Sequence, residues 1–319
     1  MRLGIVGNGY IARFHAEAFE ALGTKFMWLI HRDESTEVEP FKEAHGIAFS
    51  VGATQFLRGN NDRALDGLVI ACTTENAADY IEWCRLNNVW ALIEKPVSFD
   101  VPTIKKFENY RKSMVAFNRR YYPNISFLRE KIKTNPESKI FVDLDLPQGL
   151  SSSGDFGGVY KQIFANCVHG IDLLAFLCGQ FKVVNVDKIM SNGSRVVRAM
   201  SGNIDIRINF LLDTPTNFAL RVHGLDESFT ACPLEILYSS NRLKYIPPSS
   251  DYPVARYVPE ILTTISAVNM EYQHLKPGFY EQANTFLRFI GSDGHVVVPG
   301  ISDALFAQDF LQNIFEDLL

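Results

Sequence analysis

The chain has 319 residues, 47% of them hydrophobic and 21% charged, with a formal net charge of −5. That length holds two domains with a core each, and the balance is that of a globular protein rather than a disordered one. No Lys/Arg-rich run, membrane-length apolar run or secretory-type opening is present, so the expected partner is a small molecule, with no nucleic acid and no membrane, in the cytoplasm.

Five cysteines (Cys72, Cys84, Cys167, Cys178 and Cys232) make no C-x-x-C pair and are odd in number. The expectation is reduced thiols and no metal site.

In chain order, Leu3–Val6, Phe26–Ile30, Leu68–Cys72, Val89–Ile93 and Met114–Phe117 are short apolar runs, as buried parallel strands should be. Helical patterns lie between them. Ile11, Phe14, Ala18 and Leu22 share one face, Ala77, Ile81, Cys84 and Leu86 approximately another, with Thr74 as a helix cap. Thr103 is expected to open a helix through Tyr110. Strands alternating with such helices imply an α/β fold with a doubly wound parallel sheet over residues 1–117.

From residue 118 to 319 an α+β domain is expected, its open sheet mostly antiparallel. Helix Pro123–Lys133 and strand Lys139–Leu146 precede a Gly/Ser-rich loop, Leu150–Gly158, and a helix over Ile163–Cys178 closed by Gly179. Strand-like runs follow at Lys182–Met190, Arg195–Met200, Asn203–Leu212, Asn217–Val222 and Leu234–Leu237, separated by turn residues that suggest a meander. Pro247–Pro259 reads as an exposed loop, and Gly278–Ile290 and Ser302–Leu318 as closing helices that pack back on the first domain.

The strongest chemical signal is Gly7-Asn8-Gly9-Tyr10-Ile11-Ala12, a G-x-G-x-x-A between a strand and an amphipathic helix. Gly7 permits the tight turn, Gly9 lets backbone approach a pyrophosphate, and Ala12 allows close packing of helix on strand. A strand-ending acid would take a free ribose 2′-hydroxyl. Here His31-Arg32-Asp33 stands instead, and an arginine there can pair with a 2′-phosphate, so NADP is expected ahead of NAD. The other reading leaves Arg32 solvated and gives the ribose to Asp33. Glu94-Lys95-Pro96 follows a buried strand, where a doubly wound sheet opens its crevice; the proline would fix the lysine's direction, although such Glu-Lys pairs are also common on surfaces.

G-x-G-x-x-A, then Glu94-Lys95-Pro96, then Asn118-Arg119-Arg120-Tyr121, in that order, resembles the glucose–fructose oxidoreductase/inositol dehydrogenase/MocA family. Asn166-Cys167-Val168-His169-Gly170-Ile171-Asp172 resembles its H-x-x-D helix, after Gly157-Gly158, and Lys276-Pro277-Gly278-Phe279-Tyr280-Glu281-Gln282 is similar to its penultimate helix start. The resemblance implies a Rossmann domain, reversible oxidation of a sugar, cyclitol or nucleotide-sugar hydroxyl by NAD or NADP, and a homo-oligomer built through the C-terminal sheet.

It further implies that Lys95 bonds the reacting hydroxyl and that His169 is the general base or acid near neutrality. Asp172 is then structural. The cofactor would lie against Gly7, Asn8, Gly9, Tyr10, Ile11, His31, Arg32, Thr73, Thr74, Glu94 and Lys95. An anionic substrate group would meet Arg119, Arg120, Lys161 and Asn166. Two departures stand out: Ala165 replaces the aspartate usual one turn before the histidine, and Thr73-Thr74-Glu75-Asn76 replaces the usual Pro-Asn loop. They leave open a non-catalytic NAD(P)-binding sensor or scaffold, and a reductase of a non-sugar C=O or C=N bond.

Overall fold

The computed structural model describes residues 1–34, 38–149 and 156–318. Contacts divide the chain into two units: Met1–Tyr121 with Ile163–Asp172 and Met270–Leu319, and Tyr122–Gln162 with Leu173–Asn269. The segment carrying His169 and the last helices therefore group with the first unit.

That unit is built on a parallel six-stranded sheet in the order β3-β2-β1-β4-β5-β6, where β1 is Leu3–Val6, β2 Trp28–His31, β3 Phe49–Gly52, β4 Gly67–Ile70, β5 Trp90–Ile93 and β6 Ser113–Val115. Strands β1, β4 and β5 are buried at every position, which is why they read as unbroken apolar runs. The order reverses between β1 and β4, where a doubly wound sheet opens its ligand crevice. Edge strand β3 carries almost no apolar signal, since Phe49 is exposed and only Val51 is buried; neither it nor its flanking helices, α2 (Val38–His45) and α3 (Ala53–Arg58), was foreseen.

Helix α1 (Tyr10–Ala21) buries Ala12, His15, Ala16, Ala18 and Phe19. The expected stripe was rotated, because Phe14 and Leu22 lie only partly buried against the core and the small Ala12 and Ala16 make the close approach. Helix α4 (Thr74–Leu86) is capped at Thr73 rather than Thr74, and α5 (Val101–Lys105) begins before Thr103, because the Asp100 carboxylate accepts from the Thr103 N–H at 2.8 Å. Helix α8 (Phe279–Gly291) packs on α1: the Phe19 ring meets Phe286 at 6.3 Å and Phe26 at 5.0 Å. Helix α9 (Ile301–Ile314) closes the unit against α5, and the Gln308 amide donates to the Ser98 carbonyl.

The second unit holds helix α6 (Pro123–Lys133) and an eight-stranded sheet ordered β14-β13-β12-β11-β7-β10-β9-β8. Its strands are β7 (Ile140–Gln148), β8 (Lys182–Lys188), β9 (Arg195–Ser201), β10 (Ile204–Leu212), β11 (Ala219–His223), β12 (Ser228–Ala231), β13 (Ile236–Ile246) and β14 (Arg256–Ser266). It is not a pure meander. Strand β7 is inserted between β10 and β11, parallel to the first and antiparallel to the second. Asp143 on β7 joins three strands, accepting from Arg207 and Asn209 of β10 and Arg221 of β11.

Part of the loop expected at Pro247–Pro259 is the start of β14, and the run expected at Leu234–Leu237 belongs to the longer β13. β14 buries no position and β13 only Leu237 and Ser239, so neither strand writes a buried face into the sequence. Helix α7 (Phe156–Cys178) starts seven residues before the expected Ile163; residues 150–155 of the expected glycine/serine loop lie outside the described residues. No helix among the described residues is long and apolar enough to cross a membrane.

Candidate active site

The glycine loop leaves β1 in a conformation set by two residues. Gly7 has φ +97°, and a Cβ there would stand 2.6 Å from the Ala71 carbonyl oxygen, so the turn excludes any side chain. Gly9 caps α1 in an extended conformation, and a Cβ there would meet nothing within 4 Å. Open space therefore faces a helix N-terminus with no acidic residue in its first turn, which fits the pyrophosphate of a dinucleotide. Tyr10 is 72% exposed beside it. Asn8 and Ile11 are partly buried in the same turn, and across the switch point lie Thr73 and Thr74, the Asn76 amide donating to the Thr73 hydroxyl at 3.1 Å.

At the end of β2 the acid is hydrogen-bonded to the start of α3. The Asp33 carboxylate accepts from the Thr54 N–H at 3.3 Å and from the Thr54 hydroxyl, and these bonds hold its carboxyl below the usual range. His31 and Arg32 stand at the strand end, with His31 Nδ1 2.8 Å from the Arg32 carbonyl oxygen. Beside them opens a cleft of about 560 Å³ lined by Asp33, Thr54, Arg58 and Arg63; it touches neither Lys95 nor His169.

The candidate catalytic groups gather elsewhere, at the end of β5. Lys95 follows Glu94 and precedes Pro96 through a cis peptide bond. Its ammonium donates to the Ala165 carbonyl oxygen at 2.9 Å, the residue one helical turn before His169. The Glu94 carboxylate is engaged by His15 Nε2 of α1 at 2.8 Å. Burial opposes ionisation of Glu94, but His15 and Lys95 outweigh it and hold the carboxyl below its usual range. For Lys95 the balance reverses: burial, aided by the Arg119 and Lys276 charges, keeps the ammonium below its ordinary range against the pull of Glu94.

His169 is 8% exposed, its ring edge-on to Phe117 at 6.1 Å, and its Nδ1 has no hydrogen-bond partner among the described residues. Burial first, then the charges of Lys95, Arg119 and Lys276, hold its imidazole well below the usual value, and no carboxylate opposes them. Titration near neutrality, expected from the sequence, is therefore displaced to lower pH. The imidazole is neutral at pH 7 and can accept a proton.

Arg120, expected at an anion site, is spent. It donates twice to Asp172, at 2.9 and 2.5 Å, and once to Asp303 at 2.7 Å, with its guanidinium 5.7 Å from the Phe117 ring centre. Two carboxylates balance one cation, so no charge is left for a substrate. Lys161 is exposed and belongs to the second unit; Asn166 is exposed on the turn between Ala165 and His169. Of the expected anion set, only Arg119 exerts its field on both Lys95 and His169.

Residues 1–114 match the family model described as "Oxidoreductase family, NAD-binding Rossmann fold". The N-terminal part of the chain thus matches the model of an oxidoreductase family. It is 22% identical over 262 residues to a myo-inositol 2-dehydrogenase of Thermotoga maritima, spanning 76% of this chain and 74% of that one. A dehydrogenase of Clostridium difficile superposes with a TM-score of 0.76 at 15% identity, covering 99% of both chains. A levoglucosan dehydrogenase in complex with NADH and levoglucosan gives 0.76 at 15% identity, covering 100% of this chain and 97% of that one. The chain thus shares its fold with these dehydrogenases over nearly its whole length.

Sequence reasoning missed His15, Asp303 and Lys276. His15 had a signal, a lone imidazole between alanines on the buried face of α1. Asp303 lies 131 residues beyond Asp172, and nothing in their local patterns links them.

Proposed function

We propose that the protein oxidises a secondary hydroxyl of a sugar or cyclitol, and reduces the corresponding ketone, with Lys95 and His169 as catalytic residues. The observation that carries this reading is the bond from the Lys95 ammonium to the turn of α7 that bears His169, which holds the two groups in register. When bound, the nicotinamide takes up or gives back the hydride. The residues of this chain move the proton. His169, neutral and short of a partner, takes it from the substrate hydroxyl, while the Lys95 ammonium donates to the same oxygen and stabilises its developing negative charge. The Ala165 position loses a carboxylate but keeps a carbonyl that aims Lys95, so this departure does not favour the non-catalytic reading.

NADP is the preferred cofactor of the pair. Asp33 is occupied with Thr54, leaving the ribose edge to His31 and Arg32, with Arg58 lining the adjoining cleft. Arg32→Ala weakens NADP selectively, by about 1–3 kcal/mol for a charge-assisted contact; equal loss of NAD would overturn the preference. A second copy packs on the exposed face of the eight-stranded sheet, where Val184, Leu243, Tyr257 and Ile261 stand out to solvent; sedimentation of a monomer would contradict this. Substrates enter from the cytoplasm.

The test of function is a panel of inositols, aldoses and anhydrosugars scored by nicotinamide absorbance with NAD and with NADP. Turnover of at least one polyol, abolished by Lys95→Met and by His169→Gln, is expected. Turnover restricted to non-sugar carbonyls or imines would overturn the substrate class.

A further inference from the structure

Lys276 lies outside the 1–114 segment that carries the family match, yet its ammonium reaches side chains on the first two turns of α1, just beyond the glycine loop. Its ammonium stands 4.7 Å from the ring centre of Phe14, 5.3 Å from that of Phe279 and 6.0 Å from that of Tyr10. The rings brace one another, Tyr10 edge-on to Phe14 at 4.5 Å and Phe14 to Phe279 at 5.7 Å. Three aromatic faces hold a cation in place without neutralising it.

The backbone is equally fixed. Asn118 donates its amide to the Pro277 carbonyl at 3.0 Å, and Gly278 caps α8 at φ +78°. This lysine is built into position. Among the described residues no carboxylate pairs with it; the nearest influence of that sign is Glu94, already engaged by His15. Burial, with the field of Arg119, disfavours its charge. A part-buried ammonium beside two further cations, Lys95 and Arg119, needs an anion.

Tyr10, whose ring it covers, is the first residue of α1 and follows Gly9, where the backbone is left bare. The anion that reaches this point is the doubly charged bridge of the dinucleotide. We propose that Lys276 is a cofactor-binding residue whose ammonium pairs with the pyrophosphate on the Gly7–Tyr10 loop, so that the C-terminal segment completes the dinucleotide site. This rests on the cofactor reading of that loop. Pairing also relieves the repulsion Lys276 exerts on Lys95 and His169, so cofactor binding prepares the imidazole to accept a proton.

The experiment measures Kd for NADH and for ADP-ribose, which has the pyrophosphate but no nicotinamide, by fluorescence or calorimetry on the full chain. In Lys276→Met both constants rise about 10- to 100-fold, the worth of one charge-assisted contact, and Lys276→Arg restores most of the loss. Added salt weakens the wild type more than Lys276→Met. Unchanged constants in a Lys276→Met protein with wild-type circular dichroism would overturn the proposal. A rise confined to the KM of the substrate would do so too, and would assign the lysine to an anionic substrate group. If the wild type binds neither ligand, the cofactor reading itself fails and takes this proposal with it; if it binds both but turns over no polyol, only the substrate reading fails.

Discussion

Lys95 and Arg120 both reach α7, within two turns of each other, and meet opposite fates. Arg120 lies against Asp172 and Asp303 and is fully balanced. Burial pushes the Asp172 carboxyl up to about 6, and Arg120 offsets only part of that. The bidentate geometry keeps the pair ionised around neutrality. Lys95 has a backbone carbonyl for a partner and a neighbouring carboxylate already claimed by His15. One cation holds the fold together; the other keeps the charge that the proposed reaction requires. The number of carboxylates supplied to each separates structure from chemistry.

The comparison breaks most visibly at Asp172. Asp172→Ala removes the bidentate, fully buried partner of the Arg120 guanidinium and leaves it Asp303, itself 34% exposed, and should cost about 3–5 kcal/mol in urea unfolding. Lys95→Met removes a charge that burial already disfavours, so its unfolding free energy should stay within about 1 kcal/mol of wild type while turnover falls about 10²- to 10³-fold. Equal destabilisation by the two substitutions would erase the distinction.

A smaller effect sharpens it through pH. The His169 imidazole is held well below 6.5 in the folded protein, whereas the unfolded chain titrates near its ordinary value. The unfolded state therefore binds more protons as pH falls below about 6.5, and stability is lost in that direction, by up to about 1.4 kcal/mol per pH unit from this group. His169→Gln should flatten the unfolding midpoint between about pH 6.5 and 5. A slope unchanged by the substitution would mean that the imidazole is not held neutral by burial and its cationic neighbours.

Much of the first unit was legible because buried parallel strands and a glycine turn write themselves locally. Leu3–Val6 with Gly7 and Gly9, and Trp90–Ile93 with Lys95, are continuous pieces of sequence whose roles follow from their neighbours. Edge strand β3 and the long β13–β14 pair were illegible because their pairing is decided by partners, with exposed residues such as Phe49 and Tyr257 diluting the pattern. At the candidate site, residues that carry a motif could be nominated from the sequence and those that balance charge could not. His15 meets Glu94 across 79 residues and Arg120 meets Asp303 across 183, and no spacing encodes either. Arg120 was misread for this reason: a basic pair at a crossover shows its sign in the sequence but not its counterions.

The most direct test of the Lys95–His169 assignment measures kcat and dinucleotide Kd side by side for wild type, Lys95→Met and His169→Gln, on whichever polyol the panel selects. The account predicts kcat lower by about 10²-fold or more in both variants, with NADH bound within about threefold of wild type, since neither substitution touches the Gly7–Tyr10 loop. Retained turnover in either variant, or a loss of turnover matched by an equal loss of dinucleotide binding, would contradict it.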